Sequence, residues 1–167
     1  MIRSPDHKSP DPPILVGWCE WVALPGLGLF ALRCKVDTGA ATSALHAAEV
    51  EPFARDGQTW ARFRVHPLHR SRPGLVVACE APVVDEREVT ASSGHAEVRL
   101  VVAATLRLGL RADAPAWPVE LTLADRAAMR YPMLLGRQAM AGRVLVDPGA
   151  SYRLGTLTRP EDFYGGG

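Results

Sequence analysis

Glycine and proline interrupt this chain more often than long helices tolerate. Together they contribute 29 of the 167 residues, 15 as glycine and 14 as proline. Because both residues end helices and favour turns, their frequency argues against a helical bundle and for many short strands joined by turns. A chain of this length suffices for one ordinary domain and is too short for two comfortable ones.

Apolar and polar residues alternate along several segments, as they do in strands with one buried face. In residues 29–36, Phe30, Leu32, Cys34 and Val36 share one face, and two basic residues lie on the other. The other predicted strands are residues 60–66, 97–108, 117–123, 143–146 and 151–154. Helix signals are confined to residues 40–50 and 136–141. The pattern predicts an all-β, or mainly β, barrel or sandwich with one or two short helices.

The ends of the chain differ from its middle. Residues 1–13 hold four prolines and several charges but no apolar core, so they predict a flexible leader and neither a signal peptide nor a membrane anchor. We expect residues 14–156 to form one domain and residues 157–167, which end in three glycines, to form a flexible tail.

Charge and cysteine content limit the partners and the compartment. The 19 basic and 18 acidic side chains leave a net charge of +1, so no long-range field draws the protein to nucleic acid or to an anionic membrane. Cys19, Cys34 and Cys79 are widely spaced and form no Cys-x-x-Cys pair. We therefore expect reduced, buried cysteines in a cytoplasmic protein.

The segment from Lys35 to Ser43 carries the most chemical information. Asp37 ends an apolar strand and is followed at once by Thr38 and Gly39. This is how aspartic proteases present a catalytic carboxylate, with the glycine allowing a tight turn and close approach of the substrate. Two such carboxylates share one proton, so that one acts as base and the other as acid. Asp-Thr-Gly is also a common turn sequence, so the motif alone is a weak signal.

A second segment strengthens this interpretation. Met133, Leu134 and Leu135 are followed by Gly136 and Arg137, about 100 residues after Asp37. In retropepsins an apolar strand that ends in Gly-Arg packs beneath the catalytic loop. Both segments occur here in the expected order.

The chain resembles the bacterial family named RimK-associated ATP-dependent zinc proteases, whose domain is similar to retropepsins. The matching segments are residues 16–18, 20–22, 35–40, 42–46, 80–83, 87–90, 133–137, 145–148 and 151–152. The resemblance spans residues 14–156 and implies a closed retropepsin-like acid-protease barrel that works as a homodimer, with one aspartate from each chain. The family name also suggests a link to ATP-grasp ligases that add glutamates to proteins.

The resemblance assigns roles to particular residues. It implies that Asp37 is the general acid and base, that Thr38 braces the loop, and that Gly39 lines the cleft. The residues expected to bind substrate are Ala40, Thr42, Ser43, Ser93, Gly94 and Arg137. Retroviral enzymes carry an acidic partner for this arginine shortly after the catalytic turn. Because that stretch lacks an acid here, we expect Arg137 to bind a backbone carbonyl or a different carboxylate.

A closing flap is the next requirement of such a site, because water must be excluded once substrate binds. The candidate is a hairpin of residues 83–102 with Ser92, Ser93 and Gly94 at its tip, where glycine suits a positive φ. One arm, residues 85–88, is strongly charged. A solvated hairpin without a gating role is an equal alternative.

Two other features invite catalytic readings. The sequence after Val146 echoes the catalytic turn, but Pro148 replaces its threonine, so we interpret Asp147 as part of a strand-ending turn. His46, His66, His69 and His95 do not form His-Glu-x-x-His, and the chain has no Gly-x-x-x-x-Gly-Lys-[Ser/Thr] motif. We therefore expect no metal and no cofactor.

The leading prediction is an aspartic endopeptidase that hydrolyses a peptide or protein substrate. The alternative from another class is a non-catalytic peptide-binding module that accompanies a glutamate ligase. In that case the basic residues Arg33, Lys35, Arg62, Arg64 and Arg137 supply the binding surface. A zinc metallopeptidase that uses the histidines is the weaker third reading.

Overall fold

Strands account for most of the regular structure. The computed structural model describes residues 12–90, 93–125 and 130–165. Within these ranges the strands are β1 (Ile14–Val16), β2 (Cys19–Leu24), β3 (Leu29–Val36), β4 (Ser43–His46), β5 (Ala48–Arg55), β6 (Gln58–Val65), β7 (Val77–Thr90), β8 (Ala96–Leu108), β9 (Ala116–Ala124), β10 (Met133–Leu135) and β11 (Val144–Val146). The short helix α1 covers Arg137–Met140, and 3-10 turns cover Pro25–Leu27 and Pro160–Tyr164. The mainly β prediction is confirmed.

Six of these strands close into a barrel. Their order is β2-β3-β10-β4-β9-β8, and β8 returns to β2 through the pairs Val22↔Leu108 and Ala23↔Arg107. Strand β10 runs parallel to β3 and antiparallel to β4, so it lies between two strands that are neighbours in sequence. The barrel encloses the main apolar core, in which large side chains such as Leu32, Leu45 and Met133 are fully buried.

A β-bulge changes the faces predicted for the first half of β3. Val22 pairs with Leu32, but Leu24 pairs with Leu29, so β3 has one more residue than β2 between these pairs. Leu29 and Leu32 therefore both reach the core although they are three positions apart. The prediction that Phe30 is buried was wrong: it is 43% exposed. Beyond the bulge the alternation follows the sequence pattern.

The sheet continues past the barrel through β7, β6 and β5. Strands β7 and β8 form the long hairpin that the sequence predicted as a flap, paired from Val83↔Val102 to Thr90↔Ala96. Strand β5 is the edge of this extension and contains Pro52. A short parallel pair, β1 with β11, forms a separate sheet.

Glu20 is a buried carboxylate at the start of β2. It is 0% exposed and accepts backbone N–H groups from Gly17 at 2.7 Å, Arg153 at 2.9 Å and Leu154 at 3.0 Å. A buried charge is tolerated only when its hydrogen bonds are satisfied, and these donors come from both ends of the described domain. Glu20 therefore fastens the chain after β11 to the barrel.

The outer face of the barrel is partly covered by a smaller apolar cluster. Trp21, Ala31 and Leu68 form its centre, and Tyr152 and Tyr164 pack against it. The Tyr164 hydroxyl donates to the carbonyl of Ala31 and accepts from the N–H of the same residue. Residues 160–164 are thus packed on the barrel, whereas the sequence predicted a flexible tail from residue 157. The predicted leader lies outside the described residues, apart from its last two positions.

Two predicted elements were wrong. Residues 40–50 are not helical, because Ser43–His46 pairs with β9 and this sheet pairing overrides the local preference. Residues 151–154 form no strand, because the N–H groups of Arg153 and Leu154 bind the Glu20 carboxylate instead of a neighbouring strand. None of the helices in the described ranges is long and apolar enough to cross a membrane.

The cysteines are buried and unpaired with one another. Burial raises the pKa of the Cys79 thiol to about 12, and burial likewise raises the pKa of Cys34. These thiols are held in the unreactive protonated form at neutral pH.

We predict that Glu20→Gln lowers the free energy of unfolding by about 2 kcal/mol, because the amide turns an NH₂ toward backbone donors and removes the charge-assisted bonds. Urea titration followed by fluorescence measures the change. The exposed Glu86, replaced by glutamine as a control, should change stability by less than about 0.5 kcal/mol. Equal midpoints for the two variants would contradict the role given to Glu20.

Candidate active site

Asp37 stands at the end of β3, in a turn that its own side chain stabilises. Its backbone N–H donates to the carbonyl of Leu135 at 2.9 Å, which continues the parallel pairing of β3 with β10. Its Oδ1 accepts the N–H of Gly39 at 2.9 Å, and its carbonyl accepts the N–H of Ala40 at 3.3 Å. The half-buried carboxylate is therefore held at a defined position at the end of a barrel strand.

Strand β10 passes beneath the loop that follows Asp37. A Cβ atom at Gly136 would collide with the backbone of Thr42, so only glycine fits there. The N–H of Gly136 donates to Oγ of Ser43 at 3.0 Å, and the N–H of Arg137 donates to the carbonyl of Ala40 at 2.8 Å. The loop and the start of α1 are thus one interlocked unit.

The Arg137 side chain adds a third connection. Its Nη1 donates to the carbonyl of Gly39 at 3.2 Å. A backbone carbonyl was one of the two partners expected in the absence of a nearby acid. Arg137 therefore holds the loop from the helix side.

The other predicted residues occupy different surroundings. Thr38 and Gly39 are exposed, Ala40 and Thr42 are half-buried, and Ser43 is 3% exposed. At the flap tip, Gly94 has a φ of +84°, as the predicted turn requires. Ser93 and Gly94 are exposed, and Ser92 lies outside the described residues.

A cavity of about 290 Å³ lies beside the loop that follows Asp37, between the β7–β8 hairpin, the barrel and α1. It is lined by Thr42, Ser43, Val84, Arg87, Ala103, Pro118, Val119, Glu120, Gln138 and Ala139. The sequence pointed to the first two. Arg87 and Glu120 were not predicted to line a cavity. The run of charged residues at 85–88 was the sequence signal that pointed toward Arg87.

Arg87 brings a positive charge into this cavity. Its Nε lies 3.4 Å from Oδ2 of Asp85 on the same strand, and both side chains remain partly exposed. Such a pair contributes little to stability. A guanidinium in this position can instead bind a carboxylate.

The turn after β11 repeats the backbone geometry of the Asp37 turn. Oδ1 of Asp147 accepts the N–H of Gly149 at 3.0 Å, and its N–H donates to the carbonyl of Val16 at 2.8 Å. A Cβ atom at Gly17 would collide with Ala150, as one at Gly136 would with Thr42. The Asp147 carboxylate differs in lying 3.7 Å from Nη1 of Arg153.

His46 lies on β4, whereas His66 and His69 lie in the loop between β6 and β7. Nδ1 of His46 is 3.3 Å from the carbonyl of Ala124, and Nδ1 of His66 is 3.3 Å from the carbonyl of Pro73. Across residues 12–90, 93–125 and 130–165, no group of three or more His, Cys, Asp or Glu side chains is arranged to hold a metal ion. The donor set of the described residues does not fit the zinc in the family name.

We predict that Gly136→Ala lowers the free energy of unfolding by about 3 kcal/mol, because the new Cβ displaces the loop at Thr42. Gly74→Ala is the matched control, since a Cβ at Gly74 meets nothing within 4 Å. Urea unfolding of both variants measures the difference. Comparable stability of the two would contradict the close passage of β10 beneath the loop.

Comparison with solved structures supports the fold. A protein of unknown function from Legionella pneumophila superposes with a TM-score of 0.70 at 25% identity. The match covers 86% of this chain and 99% of that one.

Curated relatives carry ligase names. A protein of Parasynechococcus marenigrum named "Probable alpha-L-glutamate ligase" is 51% identical over 148 residues, which are 89% of this chain and 31% of the relative. A Shewanella pealeana protein of the same name is 45% identical over 145 residues, 87% of this chain and 31% of the relative. The chain thus spans about a third of the length of these relatives.

A family model covers the barrel and both turns described above. The RimB-like model, described as the retropepsin-like aspartic endopeptidase RimB, matches residues 15–155. This range contains the Asp-Thr-Gly turn, the Gly-Arg segment beneath it and the flap hairpin. The chain therefore belongs to the RimB-like family of retropepsin-like proteins.

Proposed function

We propose that this protein is an aspartic endopeptidase whose active site is formed by Asp37 from each of two copies of the chain. The observation that carries the proposal is the interlocked loop, in which Gly136 and Arg137 hold the Asp37 turn rigidly at the barrel end. Preorganised carboxylates are what water activation in such an enzyme requires.

The chemistry follows from two carboxyl groups that share one proton. The ionised carboxylate removes a proton from a water molecule, whose oxygen attacks the peptide carbonyl carbon. The protonated partner donates its proton to the carbonyl oxygen. In the collapse of the resulting tetrahedral diol, one diol hydroxyl passes its proton to the ionised carboxylate, the C–N bond breaks, and the carboxyl group that took the proton from water gives it to the leaving amine.

A second copy is proposed because one chain contributes one Asp-Thr-Gly turn. Asp147 is a poor substitute, since Pro148 supplies no hydroxyl and the carboxylate lies near Arg153. Beside the Asp37 loop, the N–H of Val36 donates to the carbonyl of Trp18, which lies between β1 and β2. The strand pair β1–β11 leaves Leu15 43% and Leu145 57% exposed, an apolar surface suited to a second copy.

The substrate proposed is a peptide or protein that carries glutamates added by an ATP-grasp ligase. The ligase names of the relatives support this link. Arg87 in the cavity offers a partner for a glutamate carboxylate. We further propose that the reaction takes place in the cytoplasm, where buried reduced thiols are normal.

We predict that Asp37→Asn lowers the rate of cleavage of glutamate-tailed peptides by at least about 1,000-fold, because the amide cannot act as a base. Asp147→Asn is the matched control: it alters the same kind of turn but should retain full activity. Mass spectrometry of peptide products between pH 4 and 8 measures both. A chelator should have no effect.

Three outcomes would overturn the proposal. Full activity of the Asp37 variant would remove the catalytic role. Loss of activity on chelation would favour a metallopeptidase. Binding of peptides without cleavage, by a protein that stays monomeric at all concentrations, would favour a binding module that accompanies the ligase.

We predict that Leu145→Lys weakens self-association and lowers specific activity at low protein concentration, because it places a charge in the apolar surface of the proposed dimer. Val76→Lys introduces the same charge at another exposed apolar position and should leave both unchanged. Sedimentation velocity and activity measured across a dilution series provide the test. Unchanged association in Leu145→Lys would show that the dimer uses another surface.

A further inference from the structure

The outer face of β3 carries a row of charged side chains that leads to Asp37. Arg33 and Lys35 are both exposed and two positions apart, so they lie on the same face about 7 Å from one another. Asp37 follows at the same interval, one step beyond the strand. The row therefore covers about 13 Å from Arg33 to the catalytic turn.

Arg33 also lines a small cavity at the far end of this row. The cavity has a volume of about 60 Å³, and Arg70 and Arg130 contribute two more guanidinium groups to its wall. His69 and Ser71 line it as well. This volume suits one or two carboxylate-sized groups rather than a large ring system.

The guanidinium of Arg33 is held in place by an aromatic ring. It lies 5.1 Å from the ring centroid of Trp21, which is only 4% exposed. Arg130 lies 5.9 Å from the ring centroid of its neighbour Tyr131. Stacking on a buried ring reduces the rotamer freedom of a guanidinium, so less entropy is lost when it binds a carboxylate.

No acidic side chain balances this group of cations in the part of the chain that the structure describes. The ion pairs found there involve other arginines, and no Asp or Glu lines the cavity. Three guanidinium groups and Lys35 thus create a local excess of positive charge on a protein whose net charge is +1. A local excess of this kind favours a polyanionic ligand.

We propose that Arg33, Lys35, Arg70 and Arg130, here named the cationic row, bind the carboxylates of an extended acidic peptide whose scissile bond lies at Asp37. In an extended peptide, side chains on one face recur about every 7 Å, which matches the spacing along β3. The 13 Å length places the anchoring glutamate about four residues from the bond that is cleaved. The position of the scissile bond at Asp37 rests on the proposed function, whereas the binding of carboxylates by the cationic row does not.

An acidic peptide fits these features better than a nucleic acid does. Single-stranded nucleic acids bind by stacking bases on exposed aromatic rings along a long basic groove. The ring at this site, Trp21, is buried beneath Arg33 and is not open to a base. The wall of the small cavity also contains Pro67, Pro132 and Pro160.

The test is the binding of fluorescein-labelled hexaglutamate to the Asp37→Asn protein, measured by fluorescence anisotropy at two salt concentrations. We expect Arg33→Gln and Arg130→Gln each to weaken binding about tenfold. Lys35→Gln should weaken it less. Arg55→Gln is the matched control, because it removes one partly exposed arginine from the edge strand β5, and its affinity should stay within about twofold of the parent.

Unchanged affinity in Arg33→Gln and Arg130→Gln would overturn the inference, as would an equal loss in Arg55→Gln. Competition with hexaglutamine, inorganic phosphate and an oligouridine RNA defines the ligand. Displacement by RNA at lower concentration than by unlabelled hexaglutamate would replace the acidic peptide with a nucleic acid and overturn the proposal. Hexaglutamine should not compete.

Cleavage assays separate this inference from the proposed function. In the active protein, Arg33→Gln should raise KM for acidic peptides with little change in kcat, because it removes binding distant from the scissile bond. If no peptide is cleaved but hexaglutamate still binds through Arg33 and Arg130, the cationic row stands and the peptidase proposal fails. If cleavage depends on Asp37 while Arg33→Gln leaves KM unchanged, the peptidase proposal stands and the cationic row fails.

Discussion

The insertion of β10 between β3 and β4 determines where the candidate site lies. Only residues 37–42 connect β3 to β4, yet a strand from about 100 positions later pairs with both. The connection must therefore arch over the inserted strand, and Gly136 is the point at which the two backbones pass. Asp37 owes its position to this crossing rather than to the turn preference of Asp-Thr-Gly, which many unrelated loops share.

The turn at Asp147 has the backbone geometry of the Asp37 turn but different side chains around its carboxylate. Like the Asp37 turn, it has a hydrogen bond to the aspartate carboxylate from the N–H two residues later. In both cases the neighbouring strand is followed by a glycine at which a Cβ atom would collide with the loop backbone. What differs is the surroundings: a proline in place of Thr38, and Arg153 near the carboxylate. The parallel pairs β3–β10 and β1–β11 thus end in aspartate turns with the same backbone hydrogen bond. The two turns differ in the side chains around the carboxylate.

Local patterns predicted much of the fold. Alternation identified β3, β6 and β9, because strands with one buried face leave a period-two signal in the sequence, and a long β-rich run identified β8. It failed at Phe30, where the extra residue of a bulge reverses the faces, and at residues 151–154, where the buried Glu20 takes the backbone donors. The Asp-Thr-Gly and Gly-Arg motifs predicted site roles for Asp37 and Arg137, and those roles stay predictions. Arg87 lines a cavity that brings together residues of β7, β8, β9 and α1, a contact between distant segments that no local pattern predicts.

The sheet edges differ in how strongly their residues oppose pairing with an added strand. Edge strand β5 carries Pro52, which cannot donate a backbone hydrogen bond, and the exposed Glu49 and Glu51 before it. Such features discourage a foreign strand from pairing. The pair β1–β11, with the sequences Ile-Leu-Val and Val-Leu-Val, has neither proline nor charge. Strand addition from another polypeptide is therefore steered away from the flap extension and toward the side of the barrel next to Asp37.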